Sequence, residues 1–454
     1  MSKRWFRVHI AGLILGIGVG WSSLSHAQIG EIGGATGGGM GGGMPIIPGT
    51  AFGGATDPSL RRTGDGLRLV PSIQVSERYD SNVFFAPKSQ LRGLTPEDFV
   101  TTIVPQVRAL YTSQENLVKL NAVVGAVGGY YAINTGLSYV GANAGATLDL
   151  SNLLSRWRPG ARLTVSDTYF YSPQPPAFLL GDQSGIQANP FVAGFQATRA
   201  NTSSNSVNTV LELPLTGKIK LTGSFTNSFI HYGASEVQQA TSLISQNVST
   251  YTAGLLTQVS LYDALRVDFT ANEFDQGRLG SFSARGGILG WTHKFSPTVS
   301  VDTTGGVQLL SGELNGVPFS PVIAPIGSLA ILWKNPTTSL TLAYRTGIAP
   351  SFQFQSVALL NHMVSCNITQ STPIDDVIVL FGGNFSVANE YGSNSGSSLS
   401  WTTVGGTGGV LYRVTQDTFL TLTYSYQNVD NVFRGVHFAF DRHVGQLALA
   451  KAFY

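Results

Sequence analysis

The chain has 454 residues, of which only 11% are charged, and it carries a formal charge of +2; ordinary soluble proteins hold about 25% charged residues. Low charge of this kind excludes a broadly basic nucleic-acid binder. The single cysteine, Cys366, excludes an internal disulfide framework and a multi-cysteine metal site.

Met1 to Ala27 reads as a secretory signal. Lys3, Arg4 and Arg7 form a positive start, Ile10 to Trp21 an apolar core, and Ser25-His26-Ala27 places small residues at the cleavage position. That core is shorter than the ~18 residues of a membrane helix, so cleavage before Gln28 is expected. Without the three basic residues of the signal, the mature chain holds 24 basic and 25 acidic residues. Gln28 is not a cysteine, so no lipoprotein anchor is indicated.

Residues 28–66 are a glycine-rich leader, with Gly37-Gly38-Gly39 and Gly41-Gly42-Gly43, then Pro45, Pro48 and Pro58. Such a segment cannot bury enough apolar surface to offset its ordering entropy and reads as a periplasmic linker; the sharper alternative is a plug or tether entering a pore. It is not a phosphate-binding loop, because no GK[ST] follows the glycines.

From Leu67 to Tyr454 the pattern has a period of two. Leu163 and Val165 alternate with Arg162, Thr164 and Ser166; Leu265, Val267 and Phe269 with Arg266, Asp268 and Thr270; Leu340, Leu342 and Tyr344 with Ser339, Thr341 and Arg345. Alternation puts apolar side chains on one face of a strand and polar ones on the other. No apolar run after the signal is long enough for a membrane helix, and helix-period stripes are absent. The pieces predict eighteen strands, beginning near residues 67, 98, 115, 139, 158, 202, 217, 248, 264, 281, 297, 323, 337, 353, 374, 398, 417 and 440. Sixteen would follow from one merger within 351–374 and one elsewhere. Pro71 and Pro105 fall inside predicted strands, where proline is poorly tolerated, so a bulge or a shifted boundary is expected at each.

Connections carry a second signal. Short turns follow the even strands, for example Tyr262-Asp263-Ala264, Phe295-Ser296-Pro297 and Asn335-Pro336-Thr337. Longer polar loops follow odd ones: residues 81–97, 172–201, 233–247, 311–322 and 428–439. Short periplasmic turns alternating with longer external loops is the signature of an outer-membrane barrel with both termini in the periplasm. The expected fold is therefore all-β, a single closed antiparallel transmembrane barrel over residues 67–454. The last strand ends on Phe453-Tyr454, which resembles the aromatic terminus read by the barrel-insertion machinery. With the export signal, it implies a Gram-negative outer membrane and contact with its lipid.

One segment narrows the reading. Glu77-Arg78-Tyr79-Asp80-Ser81-Asn82-Val83-Phe84, followed by Ile103-Val104-Pro105-Gln106-Val107 and a further alternating strand, resembles the opening of the EpsL-type outer-membrane β-barrel porins. The resemblance implies a pore for small solutes, or for export of the exopolysaccharide made by neighbouring systems. It supplies no catalytic residues; Tyr79, Asp80 and Asn82 match the motif, which is expected to shape the first external loop.

Chemistry elsewhere is sparse. His437 and His443 flank Asp441, but no serine sits in a GxSxG elbow and no HExxH occurs, so no enzyme, metal or cofactor is expected. Cys366 reads as a small apolar filler and Asp375-Asp376 as a solvated turn. Tyr169, Tyr171, Trp291, Trp333, Trp401, Tyr412 and Tyr424 read as interfacial girdles. Arg162, Arg266, Asp268 and Arg345 share the polar parity. A charge facing lipid costs about 2–4 kcal/mol near the midplane, so these four are candidates to line a lumen. The alternative to a channel is a structural or adhesive surface protein acting through its external loops.

Overall fold

The computed structural model describes residues 66–84, 87–91, 93–172, 200–235, 245–314, 317–349, 358–391, 399–433 and 436–453. The expected signal segment, residues 1–27, and the glycine-rich leader up to residue 65 lie outside them. Eighteen strands run in chain order. The first six are β1 (Gly66–Asp80), β2 (Asp98–Thr112), β3 (Lys119–Tyr131), β4 (Tyr139–Asp149), β5 (Arg162–Ser172) and β6 (Ala200–Pro214). The next six are β7 (Ile219–Ser235), β8 (Gln246–Gln258), β9 (Asp263–Asp275), β10 (Gly280–Lys294), β11 (Val299–Leu314) and β12 (Val317–Lys334). The last six are β13 (Thr338–Ala349), β14 (Ala358–Ser371), β15 (Val377–Tyr391), β16 (Leu399–Arg413), β17 (Thr418–Phe433) and β18 (Val436–Ala452). A short α-helix, α1 (Ser151–Ser155), sits in the turn after β4.

Each strand pairs antiparallel with its sequence neighbours, and β1 pairs with β18, so the sheet closes on itself. Closure removes the unpaired edges that a sheet cannot expose to lipid. The strands are steeply tilted. Cross-strand partners followed from Lys220, second in β7, run through Leu256, Arg266, Gly290, Thr304 and Ser328. They continue through Arg345, Met363, Ser386, Thr403 and Val429 to Phe440. The row thus starts at the short-turn end of β7 and finishes near the long-loop end of β18, the stagger that barrel closure requires.

The two faces differ as the alternation predicts. On β9, Leu265, Val267 and Phe269 are exposed on the outer wall, whereas Arg266, Asp268 and Thr270 are buried on the inner one. On β18, Leu447 and Leu449 face out, and Ala448 and Ala450 face in. An apolar band on a closed wall belongs in hydrocarbon, as in transmembrane barrels.

Proline positions follow from which neighbour a missing N–H would have served. Pro105 does lie inside β2, and the β2–β3 ladder lapses between Ile103–Gly128 and Gln106–Gly125. Pro71 stands one residue below the first β1–β18 pair, Ser72–Ala452. On β12 the N–H of Lys334 points to the β11 side and that of Asn335 to the β13 side. Alternation directs odd residues toward β13. The β12–β13 ladder ends at Gly327–Thr346, immediately below Pro325, which has no N–H to continue it. The carbonyl of Ile323 on that side accepts instead from the Tyr391 hydroxyl at 2.5 Å.

Two expected loops are corrected. Residues 311–322 are mostly β11 and β12, with only 315–316 between the strands. Residues 428–439 are mostly β17 and β18. Both hairpins keep their ladder above the apolar band, where the outward side chains turn polar and resemble a loop in sequence. β12 and β14 accordingly start at Val317 and Ala358, several residues from the expected 323 and 353. Part of the expected loop at 172–201 lies outside the described residues.

Candidate functional site: the lumen and its closing seam

The inner wall at the level of the apolar band mixes hydroxyls, amides and glycine with apolar side chains such as Val70, Val104 and Leu411. β1 presents Ser72, Gln74 and Ser76; β7 presents Thr222, Ser224, Thr226 and Ser228; β17 presents Thr421, Thr423, Ser425 and Gln427. These side chains link across strands: Thr226 donates to Asn208 Oδ1 at 3.1 Å, Ser228 to Ser206 at 2.9 Å, and Ser386 to Asn361 Oδ1 at 2.7 Å. The side-chain amides of Gln74 and Gln427 are buried and have no hydrogen-bond partner among the described residues. The lining is not polar throughout. Toward the long-loop end, Ile230, Val248, Phe274, Phe282 and Leu310 form an apolar inner cluster, with Phe274 and Phe282 stacked 4.4 Å apart.

All four charged candidates stand on the inner parity. Arg266 and Asp268, two apart on β9, form an ion pair at 2.7 Å with side chains 5% and 1% exposed. Arg162 is the direct cross-strand partner of Glu212, which also takes Lys220 at 3.1 Å. Arg345 lies between Ser328 and Met363 in register, alternating with the outward Leu342 and Tyr344. The structure brings Arg266 and Asp268 together and keeps Arg162 and Arg345 apart from them.

The segment Tyr79 to Phe84 organises the long-loop end. Asp80, the last residue of β1, receives Arg442 of β18 through Nε at 2.9 Å and through Nη2, and Arg78 Nη2 lies 3.8 Å away. Asp80 also accepts the Asn82 N–H at 3.1 Å. The side chains of Asp80 and Arg442 are 1% and 2% exposed. Directly opposite Asp80 in the β1–β2 ladder stands another acid, Asp98. Like charges so placed repel. Asp98 is tied separately, accepting the N–H groups of Ile133 and Asn134 at 2.9 and 2.7 Å and the Asn134 amide at 2.9 Å.

Burial by itself would raise both carboxyls. For Asp80, the Arg442 guanidinium outweighs it, with help from Arg78 and the Asn82 N–H; for Asp98, the loop N–H groups do so. Both are held below the ordinary aspartate value. Beyond Asp80, the loop folds against the inner wall: Val83 packs on Val100 and Tyr131, with Phe84, Leu137 and Tyr139 around them. The motif therefore does two jobs, fastening β1 to β18 and seating the first external loop. The partner, Arg442, lies 362 residues away and has no signal in the sequence.

The residues around Arg442 are split between faces. Asp441 and His443 point outward: Asp441 accepts from Tyr426 and Asn428 at 2.8 Å each, and His443 Nδ1 meets the Tyr424 hydroxyl at 2.8 Å. His437 is paired with Asp430 at 2.8 Å. Among the described residues no group of three or more potential ligands could hold a metal. At the opposite rim, Asp263 accepts from Ser260, Trp291 and His293, and these hydrogen bonds, His293 first, pull its carboxyl down to about 2.

Of the aromatic residues, Tyr169, Tyr171, Trp291, Trp333, Tyr412 and Tyr424 stand on the outer wall. Trp401 is a correction: it faces inward, 5% exposed, and donates to Thr403 at 2.7 Å. Its neighbours Thr402 and Val404 carry the outward parity on β16, and proximity to a strand end could not reveal that. Cys366 takes the outer parity of β14, opposite Leu342 and Gly383. Asp376 lies in a turn with φ 65° and is paired with Arg413.

No protein-family model matches the sequence, and no curated protein is significantly similar to it. Among solved structures, the chain is similar to OccK2 (OpdF) of Pseudomonas aeruginosa, with 8% identity, TM-score 0.45, and coverage of 86% of this chain and 99% of that one. It is similar to OccAB3 of Acinetobacter baumannii, with 12% identity, TM-score 0.42, and coverage of 85% and 99%. The FrpB iron transporter of Neisseria meningitidis is similar at 6% identity and TM-score 0.43, with coverage of 88% and 83%. Scores of this size mark a loose likeness between barrels, and the function must be read from this chain's own wall.

Proposed function

We propose that the chain is a porin-like channel of the Gram-negative outer membrane, reached through a cleaved export signal and the barrel-insertion machinery. One observation carries the reading: the wall is two-faced and closed, apolar outside and hydroxyl- and amide-rich inside. A barrel of ~16–18 strands is wide enough to leave an aqueous channel, whereas one of eight fills with side chains. A lining of Ser, Thr, Asn and Gln exchanges hydrogen bonds with hydrated polar solutes without a strong binding site for any one of them. It also suits polyhydroxylated molecules, and with the EpsL-type resemblance this supports passage of saccharides, exopolysaccharide included.

Liposome swelling tests the proposal. Proteoliposomes holding the folded barrel should swell in neutral mono- and disaccharides, more slowly as the sugar grows. Folded protein that leaves the vesicles as tight as protein-free controls overturns it.

A further inference from the structure

The lumen charge is unevenly distributed along its axis. At the short-turn end, Arg68, Arg108 and Lys119 come from β1, β2 and β3, and Arg162 and Lys220 from β5 and β7. Each lies on the inner parity. Arg68 alternates with the outward Leu67 and Leu69, Arg108 with Val107, and Lys220 with Leu221. Across the barrel, β10, β12 and β16 end inward on Lys294, Lys334 and Arg413, each next to an outward aromatic: His293, Trp333 and Tyr412.

The acids of that zone are fewer. Asp149 is the cross-strand partner of Lys119, and Glu212 that of Arg162. Adding Asp376 of the adjoining turn and Asp302 one layer further in, eight cations face four acids. The turns themselves do not alter the balance, because Arg156, Arg158 and Lys218 match Glu115, Asp375 and Asp417. At the long-loop end the described inward charges cancel: Arg78, Arg345 and Arg442 against Asp80, Asp98 and Glu390.

We infer that this periplasmic ring makes the channel anion-selective, so that its solutes are anionic or neutral polar molecules and not cations. The inference rests on the channel reading above and specifies its solute class. The physical ground is that a ring of one sign at a pore mouth raises the local concentration of the opposite ion. Several of these side chains have partners within the wall, so it is the net excess that acts and not any single residue. Because the mouth is wet, the field is screened. Its reach is ~10 Å at 0.1 M salt and ~3 Å at 1 M, so selectivity must weaken as salt rises.

The test is the zero-current potential of the full barrel in a planar bilayer under a KCl gradient. Chloride should permeate at least about twice as readily as potassium near 0.1 M, with the ratio falling toward one near 1 M. The triple variant Arg68→Glu/Lys294→Glu/Lys334→Glu lowers the zone's charge by six and should reverse the sign of the potential. A conducting wild-type barrel that is unselective or cation-selective at low salt overturns the inference and leaves the channel intact. A folded but silent barrel overturns the channel reading and the inference with it. Should the triple variant not fold, the wild-type potential and its salt dependence still decide, with Lys334→Gln expected to reduce the chloride preference.

Discussion

Arg442→Gln removes the guanidinium from Asp80 at the seam where the barrel closes. That seam has nine residue pairs, Ser72–Ala452 to Asp80–Val444, whereas β1 and β2 share fifteen, so its top bond guards a comparatively short ladder. Both side chains are nearly inaccessible and the contact is bidentate. Removing one partner of such a pair costs about 3–5 kcal/mol, because the other charge stays buried. With an m-value of a few kcal/mol/M, the urea midpoint should fall by on the order of 1 M. The assay is urea unfolding in detergent micelles, read by the heat-modifiable gel shift and by tryptophan fluorescence.

The pH dependence sharpens the test. In the wild type, Asp80 and Asp98 have folded values below their unfolded ones. Their contribution is therefore present above the unfolded value, ~3.9, and is lost as pH falls through the folded values. In Arg442→Gln the carboxylate is left facing Asp98, so protonation relieves the defect and the gap to wild type should narrow as pH falls toward and below the ordinary aspartate value, ~3.9. Asp80→Asn added to Arg442→Gln should recover part of the loss. An Arg442→Gln barrel that melts like wild type at neutral pH would refute the reasoning, as would a gap that widens on acidification.

Three further outcomes follow. Val267→Arg, on the outer wall, should cost about 2–4 kcal/mol in folding into bilayers, while Thr270→Arg on the inner wall of the same strand should cost less; equal costs in urea titrations would contradict the assigned faces. In single-tryptophan variants, brominated lipid should quench Trp291 and Trp333 and spare Trp401. Carbon-detected NMR titration should find Asp263 at about 2 in the wild type, and nearer the ordinary ~3.9 in His293→Phe.

The architecture was largely written in local pattern. Alternation such as Leu265-Arg266-Val267-Asp268-Phe269 states both the strand and its two environments, and short turns such as Phe295-Ser296-Pro297 mark one rim. What stayed hidden was set by distance or by solvent. Residues 311–313 and 428–431 are strand whose outer face leaves the apolar band, so hydropathy no longer separates them from loop. Pro325 ends a ladder on one side only, because a strand's N–H groups alternate between neighbours. Asp80 was visible as part of a motif. Its partner Arg442 was hidden because closure of the barrel, and nothing local, brings β18 to β1.

Single-channel recording from the purified, folded barrel tests the central claim most directly. A wet lumen through the closed sheet predicts discrete current steps that grow with salt concentration and shrink when a small polyethylene glycol enters. Folded protein that inserts and yields no steps would contradict it.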